Sequence, residues 1–130
     1  MARLFTLEEA NALIPALTID LNRLRDLFEQ SRPTRDKLTR VEQYGKSNGK
    51  DLATELRDLQ ESLQTWRTEA ESIIEKISSL GCEIKDLEQG LIDFPSERDG
   101  RTVYLCWKHG EERIEFWHEV STGFAGRMPL

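Results

Sequence analysis

No apolar run in this 130-residue chain exceeds four or five residues, which excludes a membrane-spanning helix of about 20 apolar residues. Lys and Arg never gather on one stretch, and the net charge is −6. The positive surface that displaces counterions from nucleic acid is therefore missing. Cysteine is scarce. Cys82 and Cys106 are the only two, no CxxC pair exists, and free thiols in a cytoplasmic protein are the reading that follows. Histidine is as scarce: with only His109 and His118, a three-histidine metal site within one chain is excluded. There is no glycine-rich phosphate loop, no GxSxG elbow and no Ser/His/Asp order suited to nucleophilic catalysis. Met1-Ala-Arg leads straight into a helix start without a signal-peptide pattern, which again points to the cytoplasm.

What the chain does have is apolar periodicity. Leu52, Leu56, Leu59, Leu63, Trp66, Ala70, Ile73, Ile77 and Leu80 recur at steps of four and three, the 3.5-residue period of a helix that packs along another helix. Gly81 follows the last of them, where a left-handed C-cap residue belongs. A matching ladder precedes it: Leu7, Ala10, Ile14, Leu17, Leu21, Leu24 and Phe28. Thr6 and Glu9 have the spacing of a capping box at its start. Pro15 predicts a lost hydrogen bond and a kink near Asn11, and Pro33 predicts a break, with Ser31 re-capping a helix that resumes to about Tyr44. Ser47-Asn48-Gly49 then supplies a turn. Folding there makes an antiparallel helical hairpin over about residues 6–80, with partner numbers summing to about 94. Trp66 would meet Phe28 and Leu80 would meet Ile14.

After Gly81 the period changes to two. Cys82–Leu87 and Gly90–Phe94 read as a hairpin ended by Pro95, and Thr102–Trp107 and Arg113–His118 as a second one around His109-Gly110. The expectation is a single α+β domain: a long, coiled-coil-like two-helix hairpin, then a four-stranded antiparallel β-meander and tail over about residues 82–130. Phe124 in that tail would plug one end of the core.

Strand parity locates the candidate chemistry, because alternate residues face opposite sides. With a two-residue turn, Val103, Leu105 and Trp107 share a face with Ile114, Phe116 and His118, and Cys106 and Glu115 lie behind. A turn of odd length would move Cys106 onto the His118 face. In the first hairpin, Ile84, Asp86, Ile92 and Phe94 share a face, with Lys85 opposite Asp93 behind. Asp86 and His118 are thus lone ionisable groups on apolar faces, which must be paired, neutral or bound to something. Local hydrogen bonding, with each other or with Arg127, is one solution. The other is a metal site that joins them with Cys106, Glu115, Glu119 or Glu88, a donor set suited to Mn, Fe or Zn. A Cys106–His118 nucleophile pair is disfavoured by the same parity.

The stretch Phe5-Thr-Leu-Glu-Glu-Ala-Asn-Ala-Leu-Ile-Pro15, the block GCEIKDLEQGLIDFP, and the segments LCW, FWHE and GFAGRMPL resemble a prokaryotic family of unknown function, domain of unknown function family 2203. The resemblance covers nearly the whole chain. It implies a small protein described as metal-binding related, with no established activity and no ligands named. Asp86, Asp93, Cys106, His118 and Arg127 are the motif positions it carries over. Two readings follow. One is a small metal-binding domain using Asp86 and His118, with Cys106 and Glu115 as further ligands of a divalent ion whose identity the sequence does not name. The other is a non-catalytic interaction or scaffold module that forms a homodimer through its helices, where Leu13, Ile19 and Leu27 fall off the ladder and are free to pack.

Overall fold

A computed structural model describes residues 3–45 and 51–130, and the side chain of Tyr44 is not among the parts described. Two long helices precede a five-stranded antiparallel sheet, an α+β fold. Helix α1 spans Leu7–Tyr44, and α2 spans Leu52–Ser79. The strands are β1 (Glu83–Asp86), β2 (Leu91–Arg98), β3 (Arg101–Lys108), β4 (Phe116–Glu119) and β5 (Met128–Pro129), neighbouring one another in chain order. The meander therefore has one strand more than its sequence period announced; β5 is only two residues long. The expected turn at Ser47-Asn48-Gly49 lies outside the described residues. No helix among the described residues is long and apolar enough to cross a membrane.

The chain divides into two compact units, one of residues 3–21 and 74–130, the other of the described residues within 22–73. In the second, the two helices run antiparallel, tied by Arg23 to Glu69 and by Lys37 to the buried Glu55. The helical ladder needs one correction. Leu27 is 3% exposed and Phe28 is 56% exposed, so Leu27, not Phe28, continues the seam after Leu24. Phe28 instead lies outside, under the Arg35 guanidinium at 4.0 Å. Helix α1 is also unbroken at Pro33. Pro33 removes the helical donor to the Glu29 carbonyl, and the neighbouring Phe28 carbonyl accepts from the Ser31 hydroxyl at 2.9 Å and from Arg35 Nη2 at 3.0 Å.

In the first unit the capping box forms as its spacing requires: the Thr6 amide donates to Glu9 Oε1 at 2.8 Å and the Glu9 amide to Thr6 Oγ1 at 3.1 Å. Gly81 ends the second helix with φ +99, the left-handed region that favours glycine. Strand β2 does not stop at Pro95. It runs on to Arg98, because Pro95 points to the edge that β1 has already left; its carbonyl accepts from the Phe5 amide at 2.7 Å and no ladder donor is lost. Phe5 packs edge-on against Phe94, and the Ser96 hydroxyl donates to the Phe5 carbonyl at 2.6 Å. Ile92, Phe94, Val103, Leu105 and Trp107 share this face, all at most 5% exposed, and they form the sheet's half of the core.

Two register shifts determine what the opposite face carries. A bulge between Ile84 and Asp86 pairs Glu83, not Lys85, with Asp93. Between β3 and β4 the connection is seven residues, 109–115, because the Ile114 amide donates to Asn11 Oδ1 at 2.8 Å and is unavailable to β3. Tyr104 therefore pairs with His118, and Cys106 with Phe116. The odd-length connection overturns the parity built on a two-residue turn, so Cys106 and His118 share a face. Phe124 does not plug the core: it is 37% exposed, in a short 3-10 turn at Phe124–Gly126.

Candidate metal centre

Directly paired residues of antiparallel strands point to the same side, about 4.5–5.5 Å apart at Cβ, and their diagonal neighbours remain within reach. Asp93 of β2 is paired with Cys106 of β3, and His118 of β4 lies one diagonal step away, opposite Tyr104. Three chemically reactive side chains on three adjacent strands thus converge on one sheet face. One donor atom from each of Asp93, Cys106 and His118 lies within 4.8 Å of the others, and the three residues are 3%, 1% and 1% exposed.

The hydrogen bonds settle the histidine tautomer. His118 Nδ1 stands 2.7 Å from the Glu119 carbonyl, which can only accept, so Nδ1 carries a proton. Nε2 then faces the Asp93 carboxylate, 3.0 Å from both oxygens. With Nδ1–H committed to the backbone carbonyl, the contact between Nε2 and Asp93 needs one further proton, on the ring or on the carboxylate; a metal ion that displaced it would meet the Nε2 lone pair, in a ring locked by the carbonyl behind it. Burial raises the Asp93 pKa above the ordinary aspartate value, against the lowering pull of His118. Burial, and then the Asp93 charge, push the Cys106 thiol up to about 11. A thiol so raised, beside an imidazole with both nitrogens engaged, is no activated nucleophile.

The surroundings are polar and paired. The Tyr104 hydroxyl donates to Glu83 Oε2 at 2.7 Å, which lowers the Glu83 pKa and raises that of Tyr104. Lys85 lies over the Tyr104 ring at 4.8 Å. On the other side, Arg127 from the C-terminal tail donates to the Cys106 carbonyl at 3.3 Å and to the Glu111 carboxylate at 2.9 Å.

Sequence reasoning singled out Asp86, Cys106, Glu115 and His118, and the structure brings two of these together. Asp86 leaves the sheet at the end of β1. Its carboxylate accepts from the Gln89 amide at 3.0 Å and the Gln89 side chain at 3.1 Å, which holds its pKa low. Glu115 is exposed and pairs with Arg113 at 3.1 Å, Glu119 pairs with Arg101, and Glu88 is exposed on the turn before β2. The carboxylate that joins Cys106 and His118 is Asp93, which the resemblance carried over but parity put behind the sheet. Its sequence signal was its setting: an acid between Ile92 and Phe94 in a strand buried on both faces.

A comparison with known protein families finds a match over residues 3–130, nearly the full length. The chain belongs to the DUF2203 family, described as an uncharacterized conserved protein. The match spans every element of the DUF2203 fold described above, including the three strands that carry Asp93, Cys106 and His118. No curated protein and no solved structure matches the chain.

Proposed function

We propose that this protein is a small metal-binding domain that holds one divalent ion on Asp93, Cys106 and His118. The observation that carries the reading is the His118 ring: Nδ1–H is committed to the Glu119 carbonyl, and Nε2 is aimed at a carboxylate and a thiol in a site at most 3% exposed. Two further points support it. A carboxylate and a thiolate together carry two negative charges, so a divalent cation makes the buried group neutral without extra counter-ions. One imidazole, one thiolate and one carboxylate also make a donor set that suits zinc better than Mg, Ca or Mn. The two thiols are free and buried, in keeping with a reducing compartment such as the cytoplasm.

Binding must displace the Cys106 proton, whose pKa of about 11 lies far above neutrality. Zinc affinity is therefore expected to rise about tenfold per pH unit between pH 6 and 8, with about one proton released per ion from this thiol. Calorimetry in buffers of different ionisation enthalpy reads the proton count directly. Affinity that is flat with pH would remove Cys106 from the ligand set.

A second reading, self-pairing of the helical hairpin, rests on α2. From Leu56 to Ile73 each ladder residue, Leu56, Leu59, Leu63, Trp66, Ala70 and Ile73, is only part-buried. A second copy would cover them in a four-helix arrangement. Light scattering over a concentration series is expected to give twice the chain mass, and a strict monomer at high concentration would end this reading.

A further inference from the structure

Asp93, Cys106 and His118 are buried, yet no residue of the adjoining tail from Ser121 to Leu130 is. A site closed to water needs a path by which an ion enters. The tail is a cover held down lightly. Strand β5 contributes only two residues, and one of them, Pro129, has no amide to donate. Phe124, Met128 and Leu130 are all exposed, so little apolar burial holds the segment in place.

Polar contacts hold it instead, at two points, and each falls on the backbone of a strand that carries a ligand. At the start, the Thr122 amide and hydroxyl donate to the Glu119 carbonyl at 3.2 and 3.3 Å, the same oxygen that fixes His118 Nδ1. Towards the end, Arg127 Nη2 donates to the Cys106 carbonyl at 3.3 Å and to the two Glu111 oxygens at 2.9 and 3.1 Å. The guanidinium covers the Phe116 ring at 4.1 Å, and Phe116 is the register partner of Cys106 on the same sheet face. Glu111 is a fixed anchor. Its carboxylate accepts from the Lys108 amide at 2.7 Å, and its carbonyl from the Trp107 indole at 2.9 Å. Between the two attachments lies Gly123, with φ 65 and ψ −165, a conformation essentially reserved for glycine.

The closed position carries a penalty. Among the described residues, Nε of Arg127 is the one buried side-chain donor without an acceptor. Lifting it into water recovers the hydrogen bond that burial denies it, which favours opening.

We propose that residues 122–130 are a strap that hinges at Gly123 and, by lifting Arg127 off Glu111 and the Cys106 carbonyl, admits an ion to Asp93, Cys106 and His118. The passage of an ion rests on the metal reading above. The opening does not, so the test begins without metal.

The metal-free full chain is labelled with iodoacetamide at pH 8 and followed at each cysteine by peptide mass spectrometry. Cys82, buried and bonded to the Ile77 carbonyl at 3.3 Å, reports any wider loosening of the fold. Where reclosing outpaces labelling, the rate follows the open fraction. Arg127→Gln should label Cys106 about tenfold faster or more, the loss of a charge-assisted attachment, with Cys82 unchanged. Against the rise that burial gives the Cys106 pKa, the Arg127 charge draws it down, so losing that charge without opening would slow the reaction. Arg127→Lys, which keeps a charge for Glu111, should fall between. Zinc-loaded protein given excess chelator should release its ion at a rate that reaches a plateau with chelator concentration, and Arg127→Gln should raise that plateau.

Equal Cys106 labelling in wild type and Arg127→Gln overturns the strap, and so does an equal acceleration at Cys82. If Arg127→Gln does not fold, Glu111→Gln, whose amide oxygen still accepts from the Lys108 amide, stands in with the same outcomes. Zinc release proportional to chelator at every concentration overturns the gating of the ion. A wild type that holds no zinc removes the metal reading instead, and the labelling alone then decides the strap.

Discussion

Replacing His118 by alanine is expected to take bound zinc from about one ion per chain to background. The ring supplies one of three ligands and cannot be replaced from its surroundings, because among the described residues no other Asp, Glu, Cys or His stands in the group. Loss of an outer partner to a ligating histidine typically costs 10–100-fold in affinity, and loss of the ligand itself costs more, at least ~100-fold here. Asp93→Ala and Cys106→Ser should behave alike, since each removes another of the three. Asp86→Ala and Glu115→Ala should keep their zinc, because both carboxylates are engaged elsewhere, by Gln89 and by Arg113. Elemental analysis of protein purified without a histidine tag separates the two sets. Zinc retained by the first set, or lost from the second, would move the site away from these three strands.

The ion should also govern stability. Without it, the Cys106 thiol is raised from 9.0 to about 11 by burial in the folded chain. The unfolded chain ionises first as pH rises, so the stability this thiol contributes is whole below pH 9 and is lost between 9 and about 11. Two pKa units correspond to about 3 kcal/mol. Denaturant titrations of the metal-free protein at pH 8 and pH 10.5 should show about 2 kcal/mol of that loss in the wild type and none of it in Cys106→Ala. Zinc reverses the sign, because it binds the deprotonated group. At a free concentration about 1,000 times its Kd it adds about 4 kcal/mol, on the order of 10 °C in Tm for a chain of this size. A Tm indifferent to zinc and to chelator in the wild type would show that the three side chains are a hydrogen-bonded core and nothing more.

The site's legibility in the sequence stopped where register began. His118 and Cys106 were visible as scarce residue types in strands of apolar neighbours, and the choice between two parities for them was visible as well. Which parity holds depends on the Ile114 amide, which bonds to Asn11 more than a hundred residues earlier. No local pattern carries that pairing. Asp93 kept the face that strand parity gave it, beside Cys106, and it was His118 that came over to join them. Asp86 left the face of Ile92 and Phe94 because a single-residue bulge between Ile84 and Asp86 sets it opposite Leu91. Pro95 was read as the end of a strand and lies inside one, because the edge it faces is capped by Phe5 from the far end of the chain.

What the sequence determined by itself is the set of properties that depend on near neighbours: two amphipathic helices, their capping box, the glycine that ends the second, and a run of period-two strands after it. These follow from side-chain spacing and backbone preference within a few residues. The tertiary structure alone decided which three side chains meet, because that depends on how whole strands align. In a sheet, a shift of one residue costs little locally, yet it turns every side chain from one face to the other.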